Sequence, residues 1–205
     1  VNADGTVSVA GINTVTETVG SSVVFESGSA VSNSSAYDSN AQKVVVSYLD
    51  AGNSNRGTAV VGTISGTSVS FGTPVVFDTS NSQHNNSSSN YGTSRVGTIS
   101  GTGISFGTAV VFASHNAGYY MSQAFDSTNS KVVIAYTNSS DGQKGTSIVG
   151  TVSGTNISFG SAVVFDTGEI SFLDVAYDAA AGKAVIVYMK GPGGNQGSSA
   201  IVGTV

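Results

Sequence analysis

The chain has 205 residues, only 9% of them charged, a net charge of −5, and neither cysteine nor tryptophan. Without cysteine there are no disulfides or thiolate metal sites. The seven cations (Lys43, Arg56, Arg95, Lys131, Lys144, Lys183 and Lys190) are scattered, where a nucleic-acid partner would need them clustered against phosphates. No apolar run approaches the roughly 18 residues of a membrane span, and with no initiator methionine or signal peptide the chain reads as a mature product or a fragment.

Residues 1–25 predict two strands, with Val7, Val9 and Ile12 on one and Val23, Val24 and Phe25 on the other. A loop over residues 26–34 leads to a short strand ending in Ala36, Tyr37 and Asp38, a turn (SNAQ), and the strand KVVVSY over residues 43–48. Its three adjacent valines leave no polar face, so this strand is expected to be covered on both sides. Turn-forming residues 50–56 follow. Residues 57–77, GTAVVGTISGTSVSFGTPVVF, then read as two strands joined by a tight Ser-Gly-Thr turn.

That last stretch recurs over residues 92–112 and 145–165, in degenerate form over residues 5–25, and truncated as SAIVGTV at the end of the chain. The preceding strands recur too, as Ala124-Phe125-Asp126 with KVVIAY and as Ala176-Tyr177-Asp178 with KAVIVY. Four short antiparallel strands per unit of about fifty residues predict an all-β fold of propeller-type blades, either four blades or an arc of a larger ring. The units are 1–25 (partial), 26–77, 78–112 (short), 113–165 and 166–205 (partial). The phenylalanines that close the motif, Phe25, Phe77, Phe112 and Phe165, are spaced 52, 35 and 53 residues apart. The short unit lacks the counterpart of its first two strands. Either the blade is truly short, or a segment is missing near residues 86–89. The ends would supply the third strand twice, which favours an arc over a closed ring.

The phased motifs AYDS…KVVVSY and VGTISGTSVSFGTPVVF, which cover nearly the whole chain, resemble the tandem repeats of large structural and tail-fibre-like proteins of marine phages, cyanophages especially, and of some marine bacterial surface proteins. The resemblance implies a virion- or surface-associated, propeller-like module and carries no catalytic motif. The degenerate first unit, the short third unit and the Gly-Pro-Gly-Gly loop at residues 191–194 depart from the pattern.

Asp38/Lys43, Asp126/Lys131 and Asp178/Lys183 recur at one spacing. They are either a ring of calcium or ligand contacts, or turn-capping aspartates with a lysine at each strand start; the second reading follows from the habit of Asp to bond turn amides. Residues 50–55 space oxygen ligands somewhat like a calcium loop but lack the terminal bidentate acid, so no metal or other cofactor is expected. In a propeller the variable corners would carry His84, His115, Tyr119, Tyr120, Glu169, Phe172 and Asp174. Tyr and His beside Asn and Ser suit sugar binding by stacking and hydrogen bonding; the alternative is that Tyr119 and Tyr120 pack along an inner strand. Glu169 and Asp174 are the only acids close together outside turns, and glycosidase chemistry would need two such carboxyls at a set separation.

The expectation is therefore a non-catalytic, extracellular or virion-surface structural and adhesion module. Its partners would be copies of itself, other surface proteins and host glycans, with no nucleic acid and no membrane span. The alternatives are a pure scaffold or filament subunit and a sugar-cleaving propeller enzyme.

Overall fold

The computed structural model describes residues 19–79, 91–118, 120–192 and 197–205. The stretch near residues 86–89 lies outside them. The fold is all-β and antiparallel, with two single-turn 3-10 segments, Ala51–Asn53 and Ser139–Asp141. No helix among these residues is long and apolar enough to cross a membrane.

The first sheet is a meander of β1 (Ala30–Asp38), β2 (Lys43–Asp50), β3 (Arg56–Ser65) and a fourth strand in two pieces, β4 (Ser68–Phe71) and β5 (Val75–Asp78). The first strand is longer than the sequence predicts, beginning within the expected loop. β4 pairs with the second half of β3 and β5 with its first half. Between β3 and β4 the turn is two residues long and its first, Gly66, has φ 58°, a conformation that glycine adopts without a Cβ penalty. Gly101 and Gly154 repeat it, which accounts for the recurring Ser-Gly-Thr.

Counting the first sheet as the first unit of the structure, the second is the short unit of residues 78–112, which supplies only half of this strand pattern among the described residues. β6 (Tyr91–Ser94) and β7 (Gly97–Ser100) form its inner strand, and β8 (Gly103–Phe106) and β9 (Val110–Asn116) its outer one. The third unit is complete: β10 (Met121–Asp126), β11 (Lys131–Asn138), β12 (Lys144–Ser153), β13 (Asn156–Phe159) and the first half of β14 (Val163–Asp178). The second half of β14 starts the last unit, continuing to β15 (Lys183–Lys190) and β16 (Ser198–Thr204). No closed barrel or propeller forms among these sheets.

Successive units pack face to face. Strand β11 is covered on both faces: Val132, Ile134 and Tyr136 pack toward the second unit with Phe112, while Val133 and Ala135 pack toward the last unit with Ile170 and Ile186. An apolar run with both faces covered is what its sequence requires. The register between units is uniform. A Cβ on Gly20, Gly72 or Gly107 would collide with the carbonyl oxygen of Thr67, Thr102 or Thr155, each in the hairpin turn of the following unit. Glycine is needed there for close backbone approach.

Each junction is also pinned by a motif-closing phenylalanine. Phe25 lies 5.2 Å from the ring of Tyr48 and 5.7 Å from Phe71. Phe112 lies 5.6 Å from both Tyr136 and Phe159, and Phe165 lies 5.2 Å from Tyr188. Tilted and edge-on aromatic pairs at these separations contribute about 0.5–1.5 kcal/mol beyond their burial. Tyr48 and Tyr136 are 2% and 0% exposed.

Candidate functional site

The recurring aspartates close hairpin turns. Asp38 Oδ1 accepts from the amides of Asn40 and Ala41 at 2.9 and 3.0 Å. Asp126 Oδ1 accepts from Thr128 and Asn129 at 2.9 and 3.2 Å, and Asp178 Oδ1 from Ala180 and Ala181 at 2.9 and 3.1 Å. Lys131 and Lys183 donate to Thr151 and Thr204 across the neighbouring strand, each at 2.7 Å. Burial pushes the Asp126 carboxyl up, but bonds from the Asn129 side chain, the Tyr177 hydroxyl and the two turn amides outweigh it and hold the group below the usual carboxylate range. These groups serve the turns. In the calcium-like loop, Asn53 Oδ1 accepts from Arg56 Nη1 at 3.3 Å.

Of the candidate residues, the fold brings Tyr120, Phe172 and Asp174 together at the junction of the third and fourth units. The cause is a bulge in β14, where the register with β15 shifts between Ser171 and Asp174. The same bulge occurs in β1 between Val31 and Ser34. The left-handed residue there is Ser32 (φ 54°) in β1 and Phe172 (φ 46°) in β14. For a bulky side chain this backbone conformation is strained by about 1–3 kcal/mol. Phe172 is nonetheless 56% exposed, its ring 4.7 Å from that of half-buried Tyr120 at an angle of 45°. Beside it, Ser122 Oγ donates to Asp174 Oδ1 at 2.6 Å, and the Val175 amide donates to the same carboxylate oxygen at 2.9 Å. The result is an outward aromatic step flanked by an anchored, exposed carboxylate.

The other candidates stand elsewhere. His115 faces the preceding junction, with Nε2 3.5 Å from the Tyr136 hydroxyl and the rings 5.9 Å apart. Glu169 accepts from Gln143 Nε2 at 2.8 Å, three residues before Phe172 on the same strand and about 10 Å away at the rise of an extended chain. Tyr119 and His84 lie outside the described residues. Glu169 and Asp174 are thus held by different partners.

Sequence reasoning missed two features. Ser122, which seats Asp174, carries no signal beyond being a serine among many. The pairing of Tyr48 and Tyr188 with an acid did leave one, since Phe25-Glu26 and Phe165-Asp166 align. Tyr48 donates to Glu26 Oε2 at 3.1 Å and Tyr188 to Asp166 Oδ2 at 2.9 Å, with Lys190 Nζ also 2.9 Å from that oxygen. Burial, then the hydrogen bond to Glu26 and its charge, push the Tyr48 hydroxyl up to about 12.

No protein-family model and no curated protein matches this chain.

Proposed function

We propose that the chain is a non-catalytic structural and adhesion module of an extracellular or virion-surface appendage, built as an arc of propeller-type blades, and that the step at Phe172 contacts glycans. The observation that carries the glycan contact is the exposed ring of Phe172, held against Tyr120 in a strained backbone beside Asp174. An aromatic face stacks on the apolar face of a sugar ring, while a fixed carboxylate accepts from its hydroxyls. The strain favours this reading, since bulky side chains in the left-handed region cluster at functional sites. A glycan array probed with the chain and with Phe172→Ala and Tyr120→Ala variants tests it. Signals lost in both variants support the contact; signals that survive both remove it.

The scaffold reading has its own support. Val187, Met189 and Val202, on β15 and β16, are exposed, and their counterparts in the third unit, Ala135, Thr137 and Val149, are covered by the following unit or buried. A stacking subunit would bury this face. Sedimentation of the chain and of Val202→Lys distinguishes the cases: self-association that the lysine abolishes favours the scaffold.

A further inference from the structure

The junction between the first sheet and the short second unit differs from the others. Phe77 meets Phe106 at 5.3 Å, as Phe25 meets Phe71, but among the described residues this unit has no second strand to supply a tyrosine. The gap is a slot. Its floor is the outer edge of β6, which pairs only with β9 among the described residues. On one side a cavity of about 320 Å³ is lined by Val45, Ala59, Phe77, Phe106 and the carboxylate-bearing Asp78. On the other a cavity of about 420 Å³ lies between Ser34 of β1 and Gln123 and Ile134 of the third unit. Thr93 and Arg95 line both.

The intact units show what fills this space. In them a second strand pairs with the third, Val46 opposite Val60 and Ile134 opposite Ile148, and its sixth residue is the tyrosine that meets the preceding phenylalanine. The segment joining β5 to β6, residues 79–90, contains no valine, isoleucine, leucine, phenylalanine or tyrosine, unlike KVVVSY and KVVIAY. One position sets the slot apart. Arg95 stands where the other units have Val60 and Ile148, and its Nη1 donates to the carbonyl of Gly107 at 3.2 Å. A strand seated here would place its fourth residue opposite a guanidinium, and a carboxylate there meets it with charge complementarity.

We infer that the open edge of β6, between Val45 and Phe77 on one side and Ile134 on the other, accepts an extended strand from another protein, with alternating aliphatic residues, a carboxylate opposite Arg95 and a tyrosine that packs on Phe77. Main-chain bonds to the edge supply affinity and the alternate side chains supply selectivity, as in strand addition generally. An unfilled sheet edge is otherwise a liability that proteins cover.

The test uses two labelled peptides in fluorescence anisotropy with the full chain, KVVESYLD and KVVKSYLD. The glutamate peptide is expected to bind saturably, one per chain and at least tenfold tighter than the lysine peptide, and Arg95→Glu is expected to reverse the order. Gln123→Trp, which fills the slot from the opposite wall, should abolish binding of both while circular dichroism shows an intact sheet; it tests the slot even where Arg95→Glu fails to fold. Absence of saturable binding, or an unchanged preference in folded Arg95→Glu, overturns the inference. So does a chain that sediments as a dimer which Gln123→Trp returns to monomer, since a second copy then occupies the slot.

Discussion

Val133 and Val45 hold the same place in their units, each third in its strand from the lysine and opposite a valine of the next, Val149 and Val61. Their surroundings differ. Val133 is 5% exposed and packs among Ile170, Ile186 and Tyr188 of the following unit, whereas Val45 is half-buried and borders the cavity beside the short second unit. Truncation to alanine removes two carbons, about 1.6 kcal/mol at roughly 0.8 kcal/mol per buried carbon. At Val133 the space left behind, on the order of 50 Å³, adds about 1 kcal/mol at some 24 cal/mol per Å³. Val133→Ala should then cost about 2–3 kcal/mol. At Val45 the cavity already exists and the transfer term is about halved, so Val45→Ala should cost about 0.5–1 kcal/mol. In urea, with a slope of about 2–3 kcal/mol per M, the midpoint should fall by about 1 M for Val133→Ala and by about 0.3 M for Val45→Ala. Equal shifts would refute the reasoning, because they would mean that the short second unit covers its neighbour as fully as a complete unit does. An aspartate at Val45 would by the same logic be tolerated better than one at Val133.

Gly107→Ala drives a methyl into the Thr155 carbonyl and should lower stability by about 1–3 kcal/mol, whereas Gly203→Ala, with nothing near its Cβ, should stay within about 0.5 kcal/mol; paired thermal melts check both. At Asp166 burial raises the carboxyl, but the Gly168 amide, Lys190 and the Tyr188 hydroxyl more than offset it, so its folded pKa lies below the unfolded value of about 3.9. Its contribution is therefore present above about pH 4 and lost as pH falls through the folded pKa; the Asp166→Asn variant should be less stable than the parent at pH 7, with the gap narrowing below pH 4 in melts across that range. Tyr48 runs the other way: with a folded value of about 12 against about 10 when unfolded, its contribution is complete below pH 10 and fades as pH rises toward 12, and Tyr48→Phe should flatten that alkaline decline.

Much of the fold was legible because repetition compares the chain with itself. KVVVSY is expected to have two covered faces because it has no polar one; the like strand KVVIAY has them, whereas Val45 of KVVVSY borders a cavity. The Asp-x-x-x-x-Lys spacing announced a capped hairpin through local chemistry. The shortness of the second unit was legible as a spacing of 35 residues in place of 52. What sits at the gap was not, because Val45 reads the same as Val133 until a neighbour is placed beside it. Arg95 in the position of Val60 was the available hint. The Phe172 step was half legible: aromatic residues at a variable corner suggested it, but its partners Tyr120 and Ser122 lie about fifty residues earlier and meet it only through stacking of two units. His115 and Glu169 shared the same compositional signal, but His115 faces the preceding junction and Glu169, earlier on β14, is held by Gln143.

Strand β11 is enclosed by both neighbouring units, while β6 pairs on one edge alone among the described residues. Native-state hydrogen exchange followed residue by residue measures this directly. Amides of residues 132–136 in β11 should exchange only through global unfolding, and those of Thr93 and Ser94 in β6 several orders of magnitude faster through local opening. Exchange in β11 as fast as in β6 would contradict the account.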